Sequence, residues 1–199
     1  MTKKKDDAPK KGEKKSNVTI ELKGVRAQAR SGAISFKAFQ QLAKQEADRE
    51  RNESEQEKFA ARKEWWLSEI SGLYRQIDGW LKPLIKDDAV KISRGDVQIS
   101  EKIIGSYQAT TLRIKIGGTD ILLVPRGTFI LGAFGRIDLQ GVYGQIERVI
   151  LDSDDPVDTP FSQRKGEWKV GVRGQPTTSL VKLERDNFVN LLATLANLA

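Results

Sequence analysis

Two short stretches of this 199-residue chain carry residue types suited to chemistry on a phosphate. Residues 135–139 (GRIDL) set Asp138 in a strand-like segment, and Glu167-Trp168-Lys169 sets an acid and a lysine two apart in another. Two carboxylates can hold a magnesium ion and activate water on it, while a lysine stabilises the charge that develops on the attacked phosphate. Much other chemistry is excluded, because the chain has no histidine and no cysteine. A Ser-His-Asp relay, a Cys-His nucleophile, zinc fingers and iron-sulfur centres all need side chains it lacks.

In residue type and strand context, Asp138 with Glu167 and Lys169 resembles the metal-dependent nucleases of the PD-(D/E)xK type. The resemblance implies a magnesium-dependent phosphodiesterase in which Asp138, Glu167 and Lys169 are catalytic and Asp138 and Glu167 ligate the metal. It covers only these positions, and it departs from the family twice: the intervening segment is an acidic, Pro-bearing loop, and nothing upstream shows the family's usual helical acid.

Asp138 also has a plainer reading. Arg136 and Asp138, two apart in a strand, share a face and can pair with residues of a neighbouring strand such as Glu147 or Arg148. The acids Asp152, Asp154, Asp155 and Asp158 lack the ligand spacing and closing glutamate of a calcium loop, and read as a solvated loop. Glycines between 127 and 144 separate strand-like pieces with no Gly-Lys-Ser/Thr after them, so hairpin turns explain them better than a phosphate loop does. Of the four tryptophans, Trp65 stands about 100° around its helix from the stripe that contains Trp66. It is the one expected to reach a partner or a second element.

The formal charge of +7 is unevenly spread. Residues 1–15 hold seven lysines (Lys3, Lys4, Lys5, Lys10, Lys11, Lys14, Lys15) against three acids, whereas residues 63–199 carry a net +1. The expectation is a disordered basic tail over 1–16 and a nearly neutral folded body. Such a tail can neutralise a few phosphates, giving weak, salt-sensitive attachment to nucleic acid. No apolar run is long enough for a transmembrane helix, and neither end carries a lipidation signal, so no membrane partner and a cytoplasmic location are expected.

These side chains need elements to hold them. Residues 17–23 alternate Val18, Ile20 and Leu22, predicting a short strand. From Ile34 the pattern is helical, with Phe36, Phe39, Ala43 and Ala47 on one side. Residues 48–58 then lose all apolar content, and charges of both signs predict a solvated helical arm. A stripe of Phe59, Trp66, Ile70, Leu73, Ile77, Trp80 and Leu84 follows, with heptad-like spacing suited to a coiled coil. Gly72 and Gly79 in it suggest close packing of another backbone, and Pro83 predicts an end or kink near Lys82. Beyond residue 90 the period becomes two. Strands are expected around Val97 and Ile99, over 107–116, after the Gly117-Gly118 turn, and over 127–131, 134–140, 145–151, 167–173 and 177–183, with a closing helix from Asp186.

The predicted fold class is α+β. A curved antiparallel meander is packed by the Trp-bearing helix and the C-terminal helix in a single domain over 59–199, with strand, connector and arm over 17–58 and the tail before them. With the surviving acids dispersed, the leading expectation is a non-enzymatic protein-binding or adaptor protein. It would assemble with a protein partner or as a homo-oligomer through its helical arm, and would need no cofactor. The magnesium-dependent nuclease and the tail-dependent nucleic-acid binder are the alternatives.

Overall fold

The computed structural model describes residues 35–130, 132–171 and 179–198. The basic tail, the expected strand over 17–23 and part of the expected strands over 167–173 and 177–183 lie outside them. The chain divides into two compact units, Met1–Ala47 and Asp48–Ala199.

In the first unit the described residues are Ser35 and the opening turns of helix α1 (Phe36–Lys86). The Ser35 hydroxyl accepts a hydrogen bond from the Ala38 amide at 3.3 Å, satisfying one of the donors that a helix start leaves open.

The second unit is an α+β body. From residue 59 to 86 α1 lies on a seven-stranded antiparallel sheet, β1 (Val90–Glu101), β2 (Gly105–Ile116), β3 (Thr119–Gly127), β4 (Gly135–Gln140), β5 (Ile146–Asp152), β6 (Glu167–Gly171) and β7 (Leu180–Lys182), in that spatial order. Helix α2 (Arg185–Leu195) closes the core with Phe188, Leu191, Leu192 and Leu195. The Gly117-Gly118 turn joins β2 to β3 as its sequence requires, with Gly117 at a φ of 55°. Residues 128–130 do not form the expected strand: past Gly127 the chain leaves the sheet, and its backbone forms an isolated Ile130–Ala133 bridge.

The buried face of α1 departs from the heptad reading. Trp66, Ile70, Leu73, Tyr74, Ile77 and Leu81 are buried, while Leu84 is 42% exposed and Trp80 only partly covered. A straight α-helix drifts about 20° per heptad, so contact with a sheet passes from the Trp80–Leu84 line to Leu81. Pro83 does not stop the helix at Lys82. One more turn forms, ending where the Asp87 amide donates to the Pro83 carbonyl and Asp88 takes a φ of 55°. Nor do Gly72 and Gly79 admit a backbone, for a β carbon at Gly79 would meet nothing within 4 Å. The close approaches are elsewhere, at Gly135 under Trp66, Gly141 against the Leu195 backbone and Gly166 beside Glu69.

The β1–β2 ribbon wraps. Its register is continuous from Val90 opposite Ile116 to Glu101 opposite Gly105, yet the buried residues change parity, from Val90, Leu112 and Ile114 to Ile99 and Ala109. With no bulge, only twist can exchange the faces, and a ribbon without a third strand twists most. β3 pairs only with 112–116 of β2. The tip is pinned by Glu101, whose carboxylate accepts hydrogen bonds from the Thr128 and Phe129 amides, both at 2.9 Å, and from the Tyr107 hydroxyl.

Candidate functional site

Alternation assigns the candidate acids to one face. Ile137, Leu139, Val149, Leu151, Trp168 and Val170 point to the core, so Asp138, Asp152, Glu167 and Lys169 occupy the outer face of the sheet. Register then fixes how far apart they are. Asp138 lies opposite Arg148 on β5, whereas Glu167 lies opposite Asp152, four residues further along that strand. With about 4.8 Å between strands and about 3.3 Å per residue, Asp138 and Glu167 stand roughly 16 Å apart at the backbone.

Lys169 and Glu167 do meet, with other partners. The Lys169 ammonium lies 2.8 Å from Asp152, 3.5 Å from Asp154 and 3.6 Å from Glu167, and Lys182 reaches Glu167 at 3.1 Å. Its hydrogen bond to Asp152 raises the lysine's pKa against the desolvation that opposes it. At Asp152 burial works upward, but the Lys169 hydrogen bond, the Ser153 amide and the lysine's charge outweigh it, and the pKa is lowered. Glu167 is also held low, first by its hydrogen bond to Lys182. The ammonium thus stands among these carboxylates as their counter-ion. Among the described residues no group of three or more acids has the geometry to hold a metal ion.

Asp138 belongs to a different cluster. Its side chain is 8% exposed; Arg126 Nε donates to Oδ2 at 2.8 Å, and Arg136 Nε stands 3.0 Å from Oδ1. Of the two cross-strand residues considered, Arg148 lies directly opposite Asp138, whereas Glu147 lies opposite Leu139 and so on the other face. Sequence reading missed Arg126 altogether. Its only signal was parity with Val124 in a strand, and the register of β3 on β4 shifts between Pro125 and Gly127, which no local pattern reveals.

Trp65 reaches a second element of its own chain. It is 8% exposed, its indole N–H donates to the Arg164 carbonyl at 3.0 Å, and its ring meets Phe134 and Phe161 with centroids 5.8 and 5.4 Å away. Partner binding through Trp65 therefore has little exposed surface to use. The loop over 152–166, expected to be merely solvated, is organised by Arg164. That buried guanidinium donates to the carbonyls of Asp155, Pro156, Val157 and Thr159 at 2.8–3.3 Å and lies 4.5 Å from the Phe134 ring centroid.

In the first unit, Phe36, Phe39 and Leu42 are 75%, 61% and 54% exposed at three-residue steps on one helix. Sequence reading placed Phe36 and Phe39 on a common side with Ala43 and Ala47; in the structure the larger neighbour Leu42 adds to this apolar surface. Residues 48–58 of α1, in the second unit, are exposed throughout, as expected for a charged arm. The seven tail lysines lie outside the described residues.

Comparison with protein-family models, with curated proteins and with solved structures finds no match to this chain.

Proposed function

We propose that the chain is a non-enzymatic protein-binding or adaptor protein, which meets a protein partner or a second copy of itself through the opening turns of α1. One observation supports this above others: three large apolar side chains, Phe36, Phe39 and Leu42, are more than half exposed on a single helix. Covering such a side chain contributes about 1.5–3 kcal/mol, so three together can hold a groove or a facing helix. The following charged stretch has no apolar residue, which limits the apolar patch and lets charge set register and orientation.

Size-exclusion chromatography with light scattering, alongside affinity capture, tests this with the full chain and with its F36S/F39S/L42S variant. The expected result is a complex, homomeric or heteromeric, that forms with the parent chain and is lost in the variant. A monomer at every concentration, together with identical capture by both chains, would contradict it.

A further inference from the structure

We propose that Arg126, Arg136 and Arg148, gathered around Asp138 on the outer face of the sheet, form a binding site for a phosphate group. Three adjacent strands bring them together: Asp138 lies between Val124 on β3 and Arg148 on β5, with Arg136 two residues away on its own strand. Three guanidiniums face one carboxylate, a local charge of +2. Elsewhere on this face Arg113 pairs with Asp120, with Lys115 opposite that same carboxylate, and Lys169 and Lys182 pair with Asp152, Asp154 and Glu167. The largest local excess is therefore at the arginines.

Asp138 is built as a positioning residue. It engages Arg126 and Arg136 through their Nε atoms, and among the described residues their terminal nitrogens donate to no protein acceptor. Those nitrogens form the fork that matches a phosphate, while Arg126 and Arg136 remain 38% and 30% exposed and so reachable. Arg148, exposed and directly opposite Asp138, forms no ion pair among the described residues and supplies a third donor set. Val124, 7% exposed although it points outward, shows that these side chains close over an apolar floor, where an ion pair is screened less than in open water. Arg136 Nε and Asp138 Oδ1 are both buried without a hydrogen bond of good angle, which leaves them free to realign when an anion arrives.

Pyrophosphate and oligothymidylate are the two probes, titrated into the full chain while the arginine side-chain N–H resonances are followed by NMR. Saturable binding that shifts the signals of Arg126, Arg136 and Arg148, and weakens roughly tenfold in R126Q and in R148Q, is the expected result. If only pyrophosphate binds, the source is a small phosphate compound; if oligothymidylate binds at the same residues and pyrophosphate competes, the source is a nucleic-acid backbone. D138N separates positioning from bulk charge. It makes the patch more positive, so bulk attraction predicts tighter binding, whereas the site proposed here predicts weaker binding. Should D138N fail to fold, R126Q and R148Q carry the test. No binding of either probe, binding indifferent to R126Q and R148Q, or tighter binding by folded D138N would overturn the proposal.

Discussion

Gly135 lies flush against the indole of Trp66, so closely that a β carbon at 135 would stand 2.6 Å from Cε3 of the ring. Trp66 is fully buried where α1 lies on the sheet, with the ring of Trp168 packed against it at a centroid distance of 5.8 Å. Neither indole can yield. Gly135→Ala should therefore destabilise the fold by about 1–3 kcal/mol, the usual cost of overpacking a filled core. Urea unfolding followed by tryptophan fluorescence checks it, and an unchanged midpoint would mean that helix and sheet have more play than the contact suggests.

Glu101 is the pin that holds the tip of the wrapped β1–β2 ribbon to the segment after β3. Glu101→Ala leaves the Thr128 and Phe129 amides without their carboxylate acceptor. An orphaned buried donor costs about 1–3 kcal/mol, and Thr128 is fully buried. Hydrogen exchange should accelerate at 128–129 and along the distal half of the ribbon, while β4 and β5 keep their protection. Uniform acceleration across the sheet would indicate global loss of stability and no local pin.

How far the sequence could lead is clear from these two residues. Helix, strands and the Gly117-Gly118 hairpin were legible because each rests on local periodicity or local turn chemistry. Burial of Trp66, Ile70, Leu73 and Ile77 was legible for the same reason, whereas the drift to Leu81 depends on the helix lying on a sheet and not on another helix. The acid clusters were not legible. Asp138, Glu167 and Lys169 share a face, as alternation allowed, but their separation follows from a register that is set across strands. Glu101 carried no signal at all, since its partners arise from a twist that no single strand encodes.

The Lys169 cluster makes an acid-dependent contribution to stability. Asp152 and Glu167 have folded-state pKa values below their ordinary 3.8 and 4.5. A group whose folded pKa is depressed stabilises above its unfolded pKa and loses that contribution as pH falls through the folded value. Lys169, with its folded pKa raised above 10.5, contributes fully below that pH and loses the contribution as pH rises through the folded value. Lys169→Met should therefore flatten both limbs of the stability profile. Thermal melts from acid to alkaline pH test this, and an unchanged acid limb would show that Asp152 owes little to the lysine.

Glu69 has the opposite sign. Burial pushes its pKa above the ordinary 4.5, against the Gly166 amide and the Trp65 side chain, which favour the ionised form. Its ionised form costs stability, and the cost is relieved as pH falls through the raised folded value. Glu69→Gln keeps an acceptor oxygen and removes the charge. Its melting temperature should exceed that of the parent chain at pH 7 and converge with it below about pH 4.5; a variant less stable at pH 7 would contradict this account of Glu69.

The central claim, that the opening turns of α1 meet another protein chain, is tested most directly by photo-crosslinking from a benzoylphenylalanine placed at position 39, in the cells from which the protein comes. Position 55, on the charged stretch, is the control. The account predicts a discrete, light-dependent adduct from position 39, with a second copy or with one partner, and much less from position 55. No adduct from position 39, or equal and diffuse labelling from both positions, would contradict it.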